Sequence, residues 1–105
     1  MSRQLQIRKS AEAPDRCTLF LTGTIDLTTY DTLDRAFADA LAEGRIHLAV
    51  DLSKVDYIAS AGFGVFIEAL ATVRERGGSL KFVNPSPKAR DLFRLLGILA
   101  DSCQF

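Results

Sequence analysis

Ser60 is the side chain of this sequence best placed to do chemistry. It stands in a run of small residues, Ala59-Ser60-Ala61-Gly62, where a strand pattern gives way to a helical one. A nucleophile elbow requires glycine two residues to either side of its serine, so that a strained strand-to-helix turn can expose the hydroxyl. Gly62 meets that requirement and Ile58 does not. The general base would have to be His47, the single histidine, and the pattern puts it at the far, starting end of a strand. Asp51 and Asp56 suggest a carboxylate pair, but no second acid–base group or metal cluster accompanies them, and they read as strand-end and turn aspartates. Gly62 and Gly64 fall short of the glycine spacing of a dinucleotide fingerprint, and no Gly-Lys-Ser/Thr ending of a P-loop follows. The sequence therefore predicts no catalytic residues, no enzyme activity, and no cofactor or metal of its own. Cys17 and Cys103 are the only cysteines and form no Cys-x-x-Cys pair. They could form one disulfide, but two thiols in an intracellular core are the commoner use of such a pair.

Two readings of Ser60 remain. Serine is a favoured N-cap residue, so its hydroxyl could close the start of a helix, with Ala61 and Gly62 small because the turn is tight. The same geometry also suits a phosphoryl acceptor. Loops at the carboxyl ends of parallel strands are exposed yet held by a rigid scaffold. A phosphate there would meet free backbone N–H groups and the positive end of the helix, and small neighbours would let a kinase or a partner's backbone approach.

The elements that must position this corner alternate between period two and period 3.6, as a mixed α/β domain requires. Residues 4–9 read as a first strand and residues 17–22 as a second, joined by a turn at Ala13-Pro14-Asp15 into a hairpin. Gly23-Thr24-Ile25-Asp26 then reads as a loop, and Thr28 or Thr29 as the cap of a helix over 30–42 that buries Tyr30, Leu33, Phe37, Ala40 and Leu41 and stops at Gly44. A third strand spans 47–52, followed by a short loop around Lys54. After the Ser60 corner comes a second helix carrying Phe63, Phe66, Ile67, Leu70 and Val73 up to Gly77-Gly78. Residues 80–83 form a fourth strand. Ser86-Pro87 starts a third helix, which Gly97 closes, and the last residues could add an edge strand. The expected fold is α/β: one domain over residues 1–105, with a mixed four- to five-stranded sheet covered by helices mainly on one face.

Composition narrows the function. Thirteen basic and thirteen acidic side chains cancel over 105 residues, and the basic ones are scattered. A small nucleic-acid binder concentrates basic charge on one face, so direct capture of nucleic acid or an anionic membrane is not expected. The segment after Met1 lacks the apolar core of a secretory signal, and no apolar run approaches a bilayer's thickness. A cytoplasmic protein is the expectation.

The ordered pieces Leu21-Thr22-Gly23-Thr24-Ile25-Asp26, Val50-Asp51-Leu52-Ser53, Tyr57 to Val65, Gly77-Gly78-Ser79-Leu80 and Leu92 to Ile98 resemble a STAS domain, and most closely the bacterial anti-sigma factor antagonists. The resemblance implies that Ser60 is the phosphorylated serine, that Gly62 is the motif's glycine, and that Asp26 is the acidic residue of the early loop. It implies that the unmodified protein binds an anti-sigma factor that is also a serine kinase, freeing a sigma factor. Phosphorylation by that kinase ends binding and a metal-dependent serine phosphatase restores it. The implied contact surface is Gly23, Thr24, Asp26, Tyr57, Ala59, Ser60, Ala61, Gly62, Phe63 and Gly64, with Phe63 either core or exposed anchor. Ala59 and Ala61 replace the motif's aspartate and second hydroxyl residue. The alternative is a STAS subunit of a lipid-transport (ABC-type) complex, or of another regulatory complex, without a phosphoswitch.

Overall fold

A computed structural model describes residues 4–96. The chain first forms a hairpin of β1 (Gln6–Ala13) and β2 (Arg16–Ile25). Helix α1 (Tyr30–Ala42) leads to β3 (His47–Ile58), α2 (Ser60–Glu75) leads to β4 (Ser79–Val83), and α3 (Pro87–Leu96) follows. The sheet order is β1-β2-β3-β4. The hairpin is antiparallel, and the pairings of β2 with β3 and of β3 with β4 are parallel. The expected mixed sheet is therefore present with four strands among the described residues; the fifth, edge strand and the Gly97 stop lie outside them.

Alternation puts the core on one face. Cys17, Leu19 and Leu21 of β2, Leu48, Val50 and Leu52 of β3, and Leu80 and Phe82 of β4 are all buried, and the register sets Leu19 beside Val50 and Val50 beside Phe82. The helices cover this face. Phe66 of α2 is completely buried among Phe37 of α1, Phe63, Phe82 and Phe93 of α3, with centroid separations of 4.9 to 6.4 Å. No helix among the described residues is long and apolar enough to cross a membrane.

Both strands that lead to the corner run further than their hydrophobic patterns suggest. Gly23, Thr24 and Ile25 belong to β2 rather than to a loop, and residues 53–56 continue β3. The reason lies in the partner strand. Pairing persists from Arg16–His47 to Ile25–Ile58, with register shifts at Phe20/Thr22 and Gly23/Thr24. Such irregularities interrupt the period-two signal while leaving the ladder intact. Gly23, at φ +108°, supplies a conformation that a side chain would resist. The helix ends follow expectation at Gly44, whose N–H bonds to the Leu41 carbonyl at 3.0 Å, and at Ser86, whose Oγ accepts the Ala89 N–H at 3.1 Å.

Asp51 fastens the loop after β4. It is 8% exposed, and its carboxylate accepts bonds from the Ser53 hydroxyl (2.6 Å), the Ser53 N–H (2.9 Å) and the Asn84 amide (3.1 Å). Burial opposes its ionisation, but the Ser53 and Asn84 bonds outweigh burial and hold the group below its ordinary value. A carboxyl whose folded value is depressed contributes stability that is present above the unfolded value, about 3.9, and is lost as pH falls through the folded one. Urea unfolding of wild type and Asp51→Asn should therefore show a stability difference at neutral pH that shrinks below about pH 4. A difference that does not change with pH would contradict this.

Candidate functional site

The carboxyl ends of β2 and β3 lie side by side, and their two loops form one corner. Ile25 pairs with Ile58, and the Ala59 N–H donates to the Ile25 carbonyl at 2.7 Å. The loop that leaves β2 is thus tied to the residue before Ser60. Asp26 shapes that loop from within. Its carboxylate accepts the Thr28 N–H at 2.9 Å and the Thr28 hydroxyl at 2.6 Å, and its carbonyl accepts the Tyr30 N–H at 2.8 Å. The Thr28 bonds, led by the hydroxyl, hold the Asp26 carboxyl below its ordinary value, so the loop carries a negative charge at neutral pH. Thr29 occupies the α1 N-cap position but makes no side-chain cap bond. Its hydroxyl instead accepts the Asp26 N–H and donates to the Thr24 carbonyl, both at 2.9 Å.

Ser60 is the first residue of α2 and Ala59 is its N-cap, with no side-chain cap hydrogen bond. The capping reading of Ser60 is therefore corrected. The Gly62 and Phe63 N–H groups turn back to the Ala59 carbonyl at 2.9 and 3.3 Å, so the backbone closes the first turn without the serine hydroxyl. Ser60 is exposed, at the end of a helix where the backbone dipoles favour a negative group.

Gly62 explains how the corner stays tight. A Cβ there would sit 2.5 Å from Ile25 Cγ2 and 3.0 Å from Ile58 Cγ2, so only glycine lets α2 rest on the paired strand ends. Phe63 resolves as core. It is 3% exposed, and its ring meets Phe93 edge-on at 5.0 Å; it supports the corner from beneath. Gly23, Thr24 and Gly62 are buried, Ala59, Ala61 and Asp26 are partly covered, and Tyr57, Ser60 and Gly64 are exposed. The ten implied contact positions thus divide into a supporting layer and a small surface.

His47 begins β3, while Ser60 follows its other end, roughly 35 Å away along an unbroken strand at about 3.3 Å per residue. Its Nδ1 is 3.0 Å from Ser79 Oγ and its Nε2 is 3.9 Å from Asp15 Oδ2, so it joins the hairpin turn to the start of β4. It supplies no base to Ser60. Cys17 is a buried free thiol whose pKa burial pushes up; Cys103 lies outside the described residues.

Three surface residues were missed by pattern reading. Ile67 and Tyr30 fit apolar helical stripes, yet each is 39% exposed, and Leu27, unremarked in its polar loop, is 78% exposed. A leucine standing alone among Asp26, Thr28 and Thr29 was the available signal for the loop. For Ile67 the clue was its seven-residue spacing from Ser60.

A parallel-stranded α/β corner with an exposed serine opening its second helix is the arrangement expected where the strand pattern gives way to a helical one at Ser60. The chain belongs to the STAS-domain family: the family profile described as "Mlab, STAS domain" matches residues 9–99. Its relatives place it with the anti-sigma factor antagonists. It is 31% identical over 84 residues to the anti-sigma-B factor antagonist of Listeria monocytogenes, a match covering 80% of this chain and 74% of that protein. It is 35% identical over 78 residues to the Bacillus subtilis protein of the same name, covering 74% and 71%. The fold resembles the anti-sigma factor antagonist SpoIIAA in its unphosphorylated form with a TM-score of 0.82 at 16% identity, over 94% of this chain and 86% of that one. It also resembles an anti-sigma factor antagonist from Mycobacterium paratuberculosis, with a TM-score of 0.77 at 20% identity, over 93% and 82%.

Proposed function

We propose that this chain is a cytoplasmic, non-enzymatic switch that binds an anti-sigma factor with serine kinase activity and so releases a sigma factor. The observation that carries this reading is the placement of Ser60: exposed, first in α2, free of a capping role, and tied through Ala59 and Ile25 to the Asp26 loop. The kinase transfers the γ-phosphoryl group of ATP to Ser60 Oγ; the hydroxyl proton leaves and ADP is formed. The chain is the acceptor, and the partner brings the nucleotide and its metal. A metal-dependent serine phosphatase hydrolyses the ester and regenerates the binding form.

Electrostatics supports a switch at this position. Residues 57–67 contain no charged side chain, so a phosphate adds about −1.5 to −2 charges to a stretch that has none of its own. Because the ester sits at a helix N-terminus, the fold tolerates it. The change is therefore felt by a partner rather than by the core. Ala59 and Ala61 remove side-chain acceptors beside Ser60, which leaves backbone and shape as the features a kinase would read.

Mass spectrometry after incubation with the anti-sigma factor kinase and ATP should find one phosphate, absent from Ser60→Ala. Ser60→Asp should keep the folded circular dichroism spectrum and weaken binding at least about tenfold, equivalent to about 1.4 kcal/mol. Phosphate at another residue would remove Ser60 from the mechanism. Wild-type binding by Ser60→Asp would remove the switch and leave the partner, whereas a chain that binds no anti-sigma factor would favour a subunit of an ABC-type lipid-transport or other complex.

A further inference from the structure

The face of the sheet that the helices leave uncovered holds a cleft of about 320 Å³ across β1, β2 and β3, at the lower end of the size range of small-molecule sites. Arg8, Phe20, Thr22, Asp51, Ser53 and Lys54 line it. The register brings them together: Arg8 pairs with Phe20 across the hairpin, Phe20 with Asp51, and Thr22 with Lys54. Plain alternation would not do so. Asp51 and Lys54 are three residues apart, and an odd spacing puts two side chains on opposite faces of a strand. Between the Phe20–Asp51 and Thr22–Lys54 pairs, however, β2 contributes one residue and β3 contributes two, Leu52 and Ser53. This bulge turns Ser53 and Lys54 outward in succession, while Leu52 and Val55 on either side stay buried. Bulges re-aim side chains in this way beside functional sites.

Arg8 supplies the recognition element. Its guanidinium lies over the Phe20 ring, 4.2 Å from the centroid, and stacking on an aromatic face steadies the planar fork. Among the described residues no acceptor holds its N–H edge. Lys54 brings a second cation close enough to favour the ionised form of Asp51. The Asp51 carboxylate is itself occupied by Ser53 and Asn84. Two cations against one carboxylate leave the cleft with one positive charge in excess, and Phe20 and Ile7 give it an apolar wall. We infer that this cleft binds a small organic acid, a single carboxylate on a compact apolar body, with the carboxylate on the Arg8 fork. A guanidinium meets a carboxylate through two parallel N–H bonds, and one carboxylate balances the one excess charge. The cleft opens on the face of the sheet away from α2, so the inference stands apart from the Ser60 switch.

Titration of the full chain with benzoate, followed by NMR, tests this. The amide signals of Arg8, Phe20, Thr22, Ser53 and Lys54 should shift together and saturate with a Kd of about 1 mM or tighter, and neutral benzamide should leave them in place. Arg8→Gln should weaken binding about tenfold or more. Arg8→Lys keeps the charge but loses the fork, so it should weaken binding nearly as much. Lys81→Gln removes a cation of the same face outside the cleft and should stay within about twofold. Arg8 and Lys81 are both exposed, so thermal unfolding of all three variants should match the wild type. No saturable shift up to about 10 mM benzoate, shifts confined to other residues, or wild-type affinity in Arg8→Gln overturns the site. An equal loss in Lys81→Gln reduces the binding to unspecific charge and overturns it too. Inorganic phosphate that displaces benzoate at a lower concentration overturns the assignment to a carboxylate.

Discussion

Phe66→Ala is expected to destabilise the fold by about 3–5 kcal/mol, the range for deleting a fully buried aromatic ring. Phe66 has no exposed surface and is the ring that all three helices share with the sheet. It meets Phe37 of α1 at 6.0 Å and Phe82 of β4 at 4.9 Å. It is edge-on to Phe63 and stacked on Phe93 of α3, at 6.4 and 6.2 Å. Removing it leaves four rings facing a void that none of them can fill without leaving its other contacts. A domain of this size has a total stability of only about 5–15 kcal/mol, so the loss is a large share. Urea unfolding followed by circular dichroism measures it, and Phe66→Leu, which refills part of the space, should lose much less. Equal losses in the two variants would contradict this account, because refilling the space would then recover nothing.

The second large effect is expected at Gly62, where the fold and the site meet. Gly62→Ala puts a methyl group 2.5 Å from Ile25 Cγ2 and 3.3 Å from Ile25 Cβ. Ile25 and Ile58 are 0% and 1% exposed, so neither has room to step aside, and overpacking of this kind costs about 1–3 kcal/mol. The relief available is for α2 to lift off the strand ends, which moves Ser60, two residues earlier, relative to the Asp26 loop. Partner binding should therefore fall along with stability. Gly64→Ala provides the opposite sign. Nothing lies within 4 Å of a Cβ at Gly64, and alanine in an exposed helical position is favoured over glycine by about 0.5–1 kcal/mol. Denaturation midpoints that move in the same direction for both variants would sink the argument.

These two glycines show the limit of what spacing reveals. Both stand in one short run, Gly62-Phe63-Gly64, and in the sequence they look equivalent. One faces the paired strand ends and the other faces solvent, a difference that appears only when α2 is laid on the sheet. Ile67 makes the same point. Its spacing from Phe63 and Leu70 suits the buried stripe, but the stripe on α2 is centred on Phe66 and Val73, and Ile67 falls on its solvent side. Helical periodicity defines an apolar arc without defining how much of that arc the neighbouring elements cover.

The uncharged run around Ser60 was already legible, because charge, residue size and the change from period two to period 3.6 are properties of the chain. So were the parallel crossovers, the Gly44 stop and the Ser86 cap, each of which depends on local geometry. The length of β2 and β3, the core position of Phe63, the free hydroxyl of Ser60 and the exposure of Leu27, Tyr57 and Ile67 were decided by tertiary structure. Each of these depends on which strand lies alongside and which helix covers it. Residues far apart in the chain set those contacts, and the bulged register between β2 and β3 hides them from any periodic pattern.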